Sequence, residues 1–229
     1  MLITCIIPTR NRPDYIAQSA ASVLAQDHPN LELIIVNDGN TAVAEFSDPR
    51  VRILNSGQAG AVPARNLGAR SARGEAIAWL DDDDVWTDAR FLSACADCLG
   101  TGSDFVFGDG ALVFPDGTRK AFAKDAGAAT LRKDNTILIS AVCYRRSLHQ
   151  SLGLFDAALP YYWDWDWYLR VAAANHTMTR LMTPVVDIRI HENNMSGDAN
   201  AGLRAANLQL LCDKHGLSEV PLKSHVDFV

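Results

Sequence analysis

The stretch AIAWLDDDDVW, residues 76–86, joins a buried strand to a run of four carboxylates. Ala76 to Leu80 is apolar without interruption, which is typical of a strand covered on both faces of a parallel sheet. The four aspartates follow at once, and open α/β sheets bind ligands outside the carboxyl ends of their strands. This stretch therefore predicts an α/β fold with a polar site at the end of the strand.

The run Asp81 to Asp84 favours a cation site. Neighbouring carboxylates repel by about 1 kcal/mol per pair at 4 Å in water and about 4 kcal/mol at a lower effective dielectric constant. A divalent cation would offset that cost, and hard oxygen ligands suit Mg²⁺ or Mn²⁺. The alternative is a solvated acidic turn in which Asp84 caps the next helix. The apolar residues Leu80, Val85 and Trp86 on either side favour the metal site.

Strand and helix patterns alternate through residues 1–100. We expect strands at Leu2–Ile7, Leu31–Val36, Val51–Leu54 and Ala76–Leu80, and helices at Pro13–Gln26, Gly60–Arg73 and Thr87–Leu99. Asn11 and Thr87 are the expected caps of the first and third helices. This order predicts a mostly parallel central sheet with flanking helices.

The remaining residues, 101–229, are expected to form a smaller second lobe of the same single domain, because no linker or repeat separates them. The patterns predict strands at Asp104–Phe107, Ala111–Phe114, Ile137–Tyr144 and Pro184–Ile190, a loop-rich segment at Ala121–Asn135, and helices at Trp165–Ala174 and Asp198–His215.

Polar residues follow each predicted parallel strand. Pro8-Thr9-Arg10-Asn11 comes after the first strand and Asn37-Asp38-Gly39 after the second, so both should meet the aspartates at one sheet edge. A second acidic cluster, YYWDWDWY at 161–168, offers Trp163 and Trp165 as platforms for a sugar. Its Asp164 or Asp166 could act as a general base. Its alternative is aromatic core packing with an aspartate as helix cap. His191 is a weaker candidate ligand.

The sequence resembles the family-2 glycosyltransferases of the GT-A fold. The matching stretches are CIIPTRNRPDYIAQSAASVLAQ, LELIIVNDG, GAVPARNLGARSARGEAIAWLDDDDVW, GLFDAALPYYWDWDWYLRVA and RIHENNMS, in the family's order over most of residues 2–196.

The resemblance implies a role for each matched position. Asp81 and Asp83 match the D-x-D motif, with Asp83 as metal ligand and Asp81 or Asp82 near the ribose. Asp164 matches the catalytic base, although the preceding residue, usually acidic, is Trp163 here, which leaves Asp166 as an alternative. Implied nucleotide contacts are Pro8, Thr9, Asn11, Asp38 and Arg65, the implied acceptor platforms are Trp163 and Trp165, and His191 is implied to lie near metal and diphosphate.

The resemblance also implies the reaction. It is an inverting, Mn²⁺- or Mg²⁺-dependent transfer from a nucleotide-diphosphate sugar, with uridine as the family's common base, to a hydroxyl of a glycan or lipid-linked acceptor. Polysaccharide assembly is the corresponding role. A non-catalytic nucleotide-sugar or glycan-binding module is the alternative. A sugar nucleotidyltransferase fits less well, since the loop Pro8–Asn11 lacks glycine.

Bulk properties narrow the setting. The net charge of −6 argues against a nucleic-acid partner. No apolar stretch approaches the roughly 20 residues of a membrane span, and the N-terminus does not have the pattern of a signal peptide. Five cysteines without a disulfide framework fit a cytoplasmic location. The resemblance adds peripheral contact with the inner membrane face, and nothing in the sequence indicates an oligomeric state.

Overall fold

The computed structural model describes residues 1–192, 194, 200–218, 220–223 and 225–228. Asn193, Met195 and Ser196 of the RIHENNMS motif and Asp198, the expected start of the last helix, lie outside the described residues.

Residues 1–80 form a parallel half-sheet. Its elements are β1 (Ile3–Thr9), α1 (Pro13–Leu24), β2 (Leu31–Asn37), β3 (Val51–Asn55), α2 (Ala61–Ser71) and β4 (Ala76–Trp79). The strands lie in the order β3-β2-β1-β4, and all three pairings are parallel. The chain segments that leave β1, β2 and β4 therefore meet at one edge, as predicted from the strand-end pattern.

The second half of the described chain extends this sheet with mostly antiparallel pairings. Its elements are β5 (Val85–Trp86), α3 (Phe91–Gly100), β6 (Phe105–Val113), β7 (Arg119–Phe122), α4 (Ala128–Leu131), a 3₁₀ turn (Ile139–Ala141), β8 (Val142–Arg145), α5 (Ser147–Leu152), α6 (Trp163–Ala173), β9 (Met178–Arg189), α7 (Ala201–His215) and a 3₁₀ turn (His225–Phe228). The full order is β3-β2-β1-β4-β8-β6-β9-β5, with β7 beside β6. Strand β8 runs antiparallel to both β4 and β6, whereas β9 is parallel to β6. The predicted α/β architecture is confirmed.

Two predicted helix caps were wrong. Thr87 does not begin a helix, because Val85 and Trp86 pair with β9 and the Thr87 amide donates to the carbonyl of Val185. Helix α3 starts later, at Phe91. Asn11 is not the cap of α1 either, since the capping position is Arg12 and no side chain caps that end.

The strand bounds in the second half also differ from the prediction. Strand β6 is one continuous element through Gly108-Asp109-Gly110, where two short strands were expected. Strand β9 begins at Met178, six residues before Pro184, because its first part pairs in parallel with β6 ahead of a bulge. Tertiary pairing, which local patterns do not report, sets these limits.

The sheet is covered on both faces, which explains the unbroken apolar strands. On one face Ile6 and Ile34 pack with Trp79 and with aromatic residues of α6. On the other face Ile7 and Ile35 belong to a second cluster with residues of α1 and α3. Among the described helices, none is both long and apolar enough to cross a membrane.

Replacing Gly68 by alanine should destabilise the protein, because α2 lies directly against the sheet there. A Cβ atom at Gly68 would lie 2.6 Å from Ile6 Cγ2 and 3.2 Å from Val36 Cγ2. We expect Gly68→Ala to lower the free energy of unfolding by about 1–3 kcal/mol in urea titrations. Gly202→Ala is the matched control, since nothing lies within 4 Å of a Cβ at that helical position. An equal loss in both variants would contradict the close packing of α2.

Candidate functional site

A cavity of about 690 Å³ opens at the carboxyl edge of the parallel half-sheet. The predicted site residues that line it are Pro8, Thr9, Asp38, Arg65, Asp81, Asp82, Asp83, Trp163 and Asp164. The segments after β1, β2 and β4 line this cavity, and so does the chain that leads into α6. The structure thus brings most of the predicted residues around one space.

Asp81 and Asp82 are each held by a different part of the chain. The guanidinium of Arg65, on α2, pairs with Asp81. Asp82 accepts a 2.7 Å hydrogen bond from the Thr9 hydroxyl and a 3.1 Å hydrogen bond from Arg12. Burial raises the pKa of Asp82, which the Thr9 hydrogen bond partly opposes. These contacts fix two of the four carboxylates against the loop after β1 and against α2.

Asp83 is the aspartate that faces a histidine. Its Oδ2 atom accepts a hydrogen bond from Arg12 NH1 at 2.6 Å and lies 2.9 Å from His191 Nε2. The His191 ring stacks on Tyr15, with 5.7 Å between ring centroids, so α1 orients the imidazole. His191 does not line the cavity wall, but it contacts the carboxylate that does.

Asp84 joins the two halves of the sheet and does not cap a helix. Its Oδ2 accepts a 2.5 Å hydrogen bond from Ser140, whose oxygen in turn accepts the Asp81 amide at 3.0 Å. Its Oδ1 accepts the amide of Arg189 at the end of β9 at 3.2 Å. Burial raises the pKa of Asp84 well above its usual range, and the charges of Asp83 and Asp81 add to that effect.

The donor set fits a divalent cation. One carboxylate oxygen from each of Asp81, Asp83 and Asp84 lies within 4.8 Å of the other two. These are hard oxygen ligands, and His191 adds a nitrogen beside Asp83. Each of the three carboxylates already has a partner: Asp84 receives two hydrogen bonds, Asp81 is paired with Arg65, and Asp83 is paired with Arg12. Asp83 differs from the other two in lying beside the ring nitrogen of His191, so Asp83 and His191 together offer an oxygen and a nitrogen ligand.

Asp38 and Asn11 brace loops at the cavity rim. Asp38 accepts hydrogen bonds from the Ser56 hydroxyl at 2.5 Å and from the Gly60 amide at 3.1 Å. Asn11 accepts the amides of Asn40 and Thr41, both at 3.0 Å, and borders a smaller pocket outside the main cavity. The Asn11 Oδ1 atom would lie 2.3 Å from a Cβ on Gly39, so the approach of the two loops requires glycine there.

Asp164 faces the cavity from the first turn of α6. Its Oδ2 accepts a 3.0 Å hydrogen bond from Asn135 Nδ2. Burial raises the pKa of Asp164, and the charge of Asp81 adds to the rise, while the Asn135 hydrogen bond and Arg65 oppose it. A carboxylate with a raised pKa beside a cavity is chemically suited to accept a proton.

Asp166 points away from the cavity into an ion-pair network. It is fully buried and contacts Arg170 at 2.9 Å and Lys214 and His215, both at 2.8 Å. Burial raises its pKa, but hydrogen bonds from His215 and Lys214 outweigh burial and lower the pKa to about 2. The structure therefore gives Asp166 a position that ties α6 to α7.

The two tryptophans separate in the same way. Trp163 lines the cavity, and the guanidinium of Arg65 lies 4.4 Å from its ring centroid. Trp165 is buried, and its indole N–H donates to the carbonyl of Leu131 at 2.7 Å, away from the cavity. Asp166 and Trp165 are thus the predicted residues that the structure places in the core.

Sequence reasoning missed four side chains that hold the site. They are Arg12, Asn135, Ser140 and Arg189. Arg189 ends β9 and lies two residues before His191, so a strand pattern continued to His191 could have placed both side chains on one face. Arg12 lies beyond the matched loop, and Asn135 lies in the segment expected to be loop-rich, where no periodic pattern singles out a residue.

Comparisons with known proteins identify related sequences. The sequence profile described as Glycosyl transferase family 2 matches residues 4–154. An uncharacterized glycosyltransferase of Bacillus subtilis (strain 168), YwdF, is 35% identical over 98% of this chain and 88% of its own length. The UDP-Glc:alpha-D-GlcNAc-diphosphoundecaprenol beta-1,3-glucosyltransferase WfgD of Escherichia coli is 34% identical over 47% of this chain.

The fold is shared with a solved structure as well. The crystal structure of S. aureus TarS 1-349 in complex with UDP-GlcNAc matches 93% of this chain with a TM-score of 0.71 and 18% identity. The predicted GT-A fold is thereby confirmed. The matched region spans 45% of WfgD and 66% of the TarS fragment.

The stability contributed by Asp166 should depend on pH. Its folded pKa of about 2 lies below the ordinary value of 3.8, so its contribution is complete above pH 4 and is lost as the pH falls toward 2. We expect the difference in free energy of unfolding between wild type and Asp166→Asn to narrow by about 2 kcal/mol over that range. Urea titrations from about pH 7, where Asp166 is fully ionised, down to about pH 2.5 would measure this difference.

Asp156→Asn is the matched control for that experiment. Asp156 also contacts Lys214, at 2.6 Å, but it is partly exposed. We expect a difference of less than about 1 kcal/mol at any pH, because solvent screens the pair. A difference between wild type and Asp166→Asn that does not change with pH would contradict the network described for Asp166.

Proposed function

Because the chain belongs to glycosyl transferase family 2, we propose that this glycosyltransferase moves a sugar from a UDP-sugar to an acceptor hydroxyl with inversion at the anomeric carbon. The observation that carries the proposal is that Asp83 and Asp164 line the same cavity. The first residue can hold a metal and the second can accept a proton.

The nucleotide occupies the wall formed by the strand ends in this proposal. Pro8, Thr9 and Asp38 border the base and ribose, and Arg65 with Asp81 closes the inner end. The name of the E. coli relative gives UDP-Glc as its donor, and the TarS fragment was solved in complex with UDP-GlcNAc. Asn11 supports this wall indirectly by holding the loop after β2.

A divalent metal, Mn²⁺ or Mg²⁺, would be held by Asp83 and His191 beside the donor diphosphate. When bound, such an ion supplies charge neutralisation for the departing diphosphate, as a Lewis acid does. Asp82 keeps the site in place, since its carboxylate is anchored on Thr9. Asp84 keeps the site in register with β9 through the Arg189 amide.

Asp164 is the proposed general base. It takes the proton of the acceptor hydroxyl while that oxygen attacks the anomeric carbon, and the nucleoside diphosphate leaves from the opposite face. Asn135 fixes the orientation of the carboxylate through its 3.0 Å hydrogen bond. The raised pKa makes the carboxylate a stronger base than an exposed aspartate.

The acceptor would enter beside Tyr161, Tyr162 and Trp163, which line the cavity next to Asp164. Aromatic faces there suit a sugar ring, so we propose a glycan or lipid-linked acceptor. The name of the E. coli relative specifies a diphosphoundecaprenol-linked acceptor. Cytoplasmic catalysis with contact at an inner membrane face belongs to this proposal.

Donor binding should require the metal and Asp83. We expect UDP-sugars with Mn²⁺ to raise the melting temperature of the protein more than GDP-sugars or metal-free UDP-sugars, because a ligand stabilises the state that binds it. Asp83→Ala should abolish the Mn²⁺-dependent part of that rise. Asp187→Ala is the control, since this carboxylate pairs with Arg119 at the surface. A rise unaffected by Asp83→Ala would contradict the metal assignment.

Asp164→Asn should separate binding from catalysis. We expect kcat to fall by about 10²–10⁴-fold, with the affinity for the donor nearly unchanged, because the amide cannot accept the proton. Single-turnover transfer and calorimetric donor binding would measure the two quantities. Loss of donor binding together with unchanged turnover of bound donor would contradict the role of Asp164. Binding without turnover in the wild type as well would instead indicate a non-catalytic module.

A further inference from the structure

We propose that Arg12 is an internal cation that a divalent metal displaces from Asp83. Arg12 NH1 donates to Asp82 Oδ1 at 3.1 Å and to Asp83 Oδ2 at 2.6 Å, so one guanidinium bridges two adjacent carboxylates. Arg12 also lines the cavity. Its charge therefore lies where the proposed metal site needs a cation, and this inference rests on that site.

The Oδ2 atom of Asp83 already has two hydrogen-bonding partners. They are Arg12 Nη1, at 2.6 Å, and His191 Nε2, at 2.9 Å. A carboxylate oxygen has two lone pairs, and a metal bound to it would lie at about 2.0–2.2 Å. His191 can stay, because its ring nitrogen can itself become a ligand. Arg12 has no lone pair to offer and carries the same charge sign as the metal, so Arg12 and a metal on Oδ2 exclude each other.

Arg12 differs from the other two arginines of this cluster in its surroundings. Arg65 is buried and stacks on Trp163, and Arg189 donates to the main-chain oxygen of Asp83 while stacking on Tyr15. The Arg12 side chain is 27% exposed and precedes the first turn of α1.

Release of Arg12 would leave Asp82 with another hydrogen-bond donor. Asp82 keeps the 2.7 Å hydrogen bond from Thr9 when the guanidinium moves. Metal binding in this scheme exchanges one cation for another, and the acid cluster is never left without a counter-charge. The apparent metal affinity is then lower than the intrinsic affinity, by the fraction of molecules in which Arg12 has moved away.

Titrations of Mn²⁺ into Arg12→Gln and Arg10→Gln test the inference. Both variants remove one positive charge from the same loop, but Arg10 is 61% exposed and lies 3.8 Å from Asp38, away from the acidic run. We expect Arg12→Gln to bind Mn²⁺ about tenfold tighter than Arg10→Gln, because only Arg12 competes for Asp83 directly. Isothermal titration calorimetry or the electron paramagnetic resonance signal of free Mn²⁺ gives the affinity.

Thermal melts give a second readout that does not depend on activity. Without added metal, Arg12→Gln should melt below wild type, because two carboxylates lose their counter-ion. Saturating Mn²⁺ should close that gap. Arg12→Lys serves if the glutamine variant does not fold, and it should bind Mn²⁺ with an affinity between wild type and Arg12→Gln.

The outcomes separate this inference from the proposed function. Equal Mn²⁺ affinity in Arg12→Gln and Arg10→Gln, or weaker binding in Arg12→Gln, overturns the displacement of Arg12 while the metal site stands. Absence of Mn²⁺ binding in wild type and in all variants overturns the metal site itself, and the inference with it. Tighter binding specific to the Arg12 variants, with a thermal gap that Mn²⁺ closes, supports both.

Discussion

Repulsion among the four carboxylates at residues 81–84 is the constraint around which the site is organised. Adjacent charges at about 4 Å cost several kcal/mol per pair where water is scarce. Two arginines from separate segments offset this cost by pairing with the carboxylates: Arg12 before α1 and Arg65 on α2. Arg189 at the end of β9 adds a hydrogen bond to the main-chain oxygen of Asp83. These contacts also tie the loop after β1, helix α2 and strand β9 to the end of β4.

The same arrangement connects the two halves of the sheet. Asp84 is buried and cannot reach water, so its oxygens must find donors within the protein. It finds them in Ser140 just ahead of β8 and in the amide of Arg189 on β9. Both donors belong to the antiparallel half. The polar ends of the parallel strands are therefore joined to β8 and β9 by hydrogen bonds of one aspartate, and the cavity lies beside that junction.

The sequence predicts the parallel half well, because its strands are continuous apolar runs whose ends carry polar residues. The location of Thr9, Asp38 and the aspartates at one edge follows from that pattern and the parallel connection. The antiparallel half is less predictable. Val85 and Trp86 leave a helical course because β9, about 100 residues later, offers them hydrogen-bonding partners. The residues near Val85 and Trp86 in sequence do not indicate that partner. The contact between Arg12 and Asp82 could not be predicted for the same reason.

Helix geometry gives different surroundings to the two aspartates between which sequence reasoning left the choice open. Residues two apart on an α-helix point about 200° away from each other, so Asp164 and Asp166 cannot both face the cavity. The tryptophans obey the same rule, with Trp163 toward the cavity and Trp165 toward Leu131. The two environments shift the pKa values of the carboxylates in opposite directions. Burial raises the pKa of Asp164, whereas His215 and Lys214 lower the pKa of Asp166 to about 2.

That separation gives each aspartate a different suitability for proton transfer. A carboxylate locked by cations holds its charge so firmly that it is a poor proton acceptor, whereas one desolvated beside a cavity gains free energy by taking a proton. Asp166 can hold α6 against α7 because it never needs to change its protonation state near neutral pH. Asp164 lies between Trp163 and Trp165 on the same anchored helix turn, which fixes its position. Its raised pKa makes it the better suited of the two carboxylates to accept a proton.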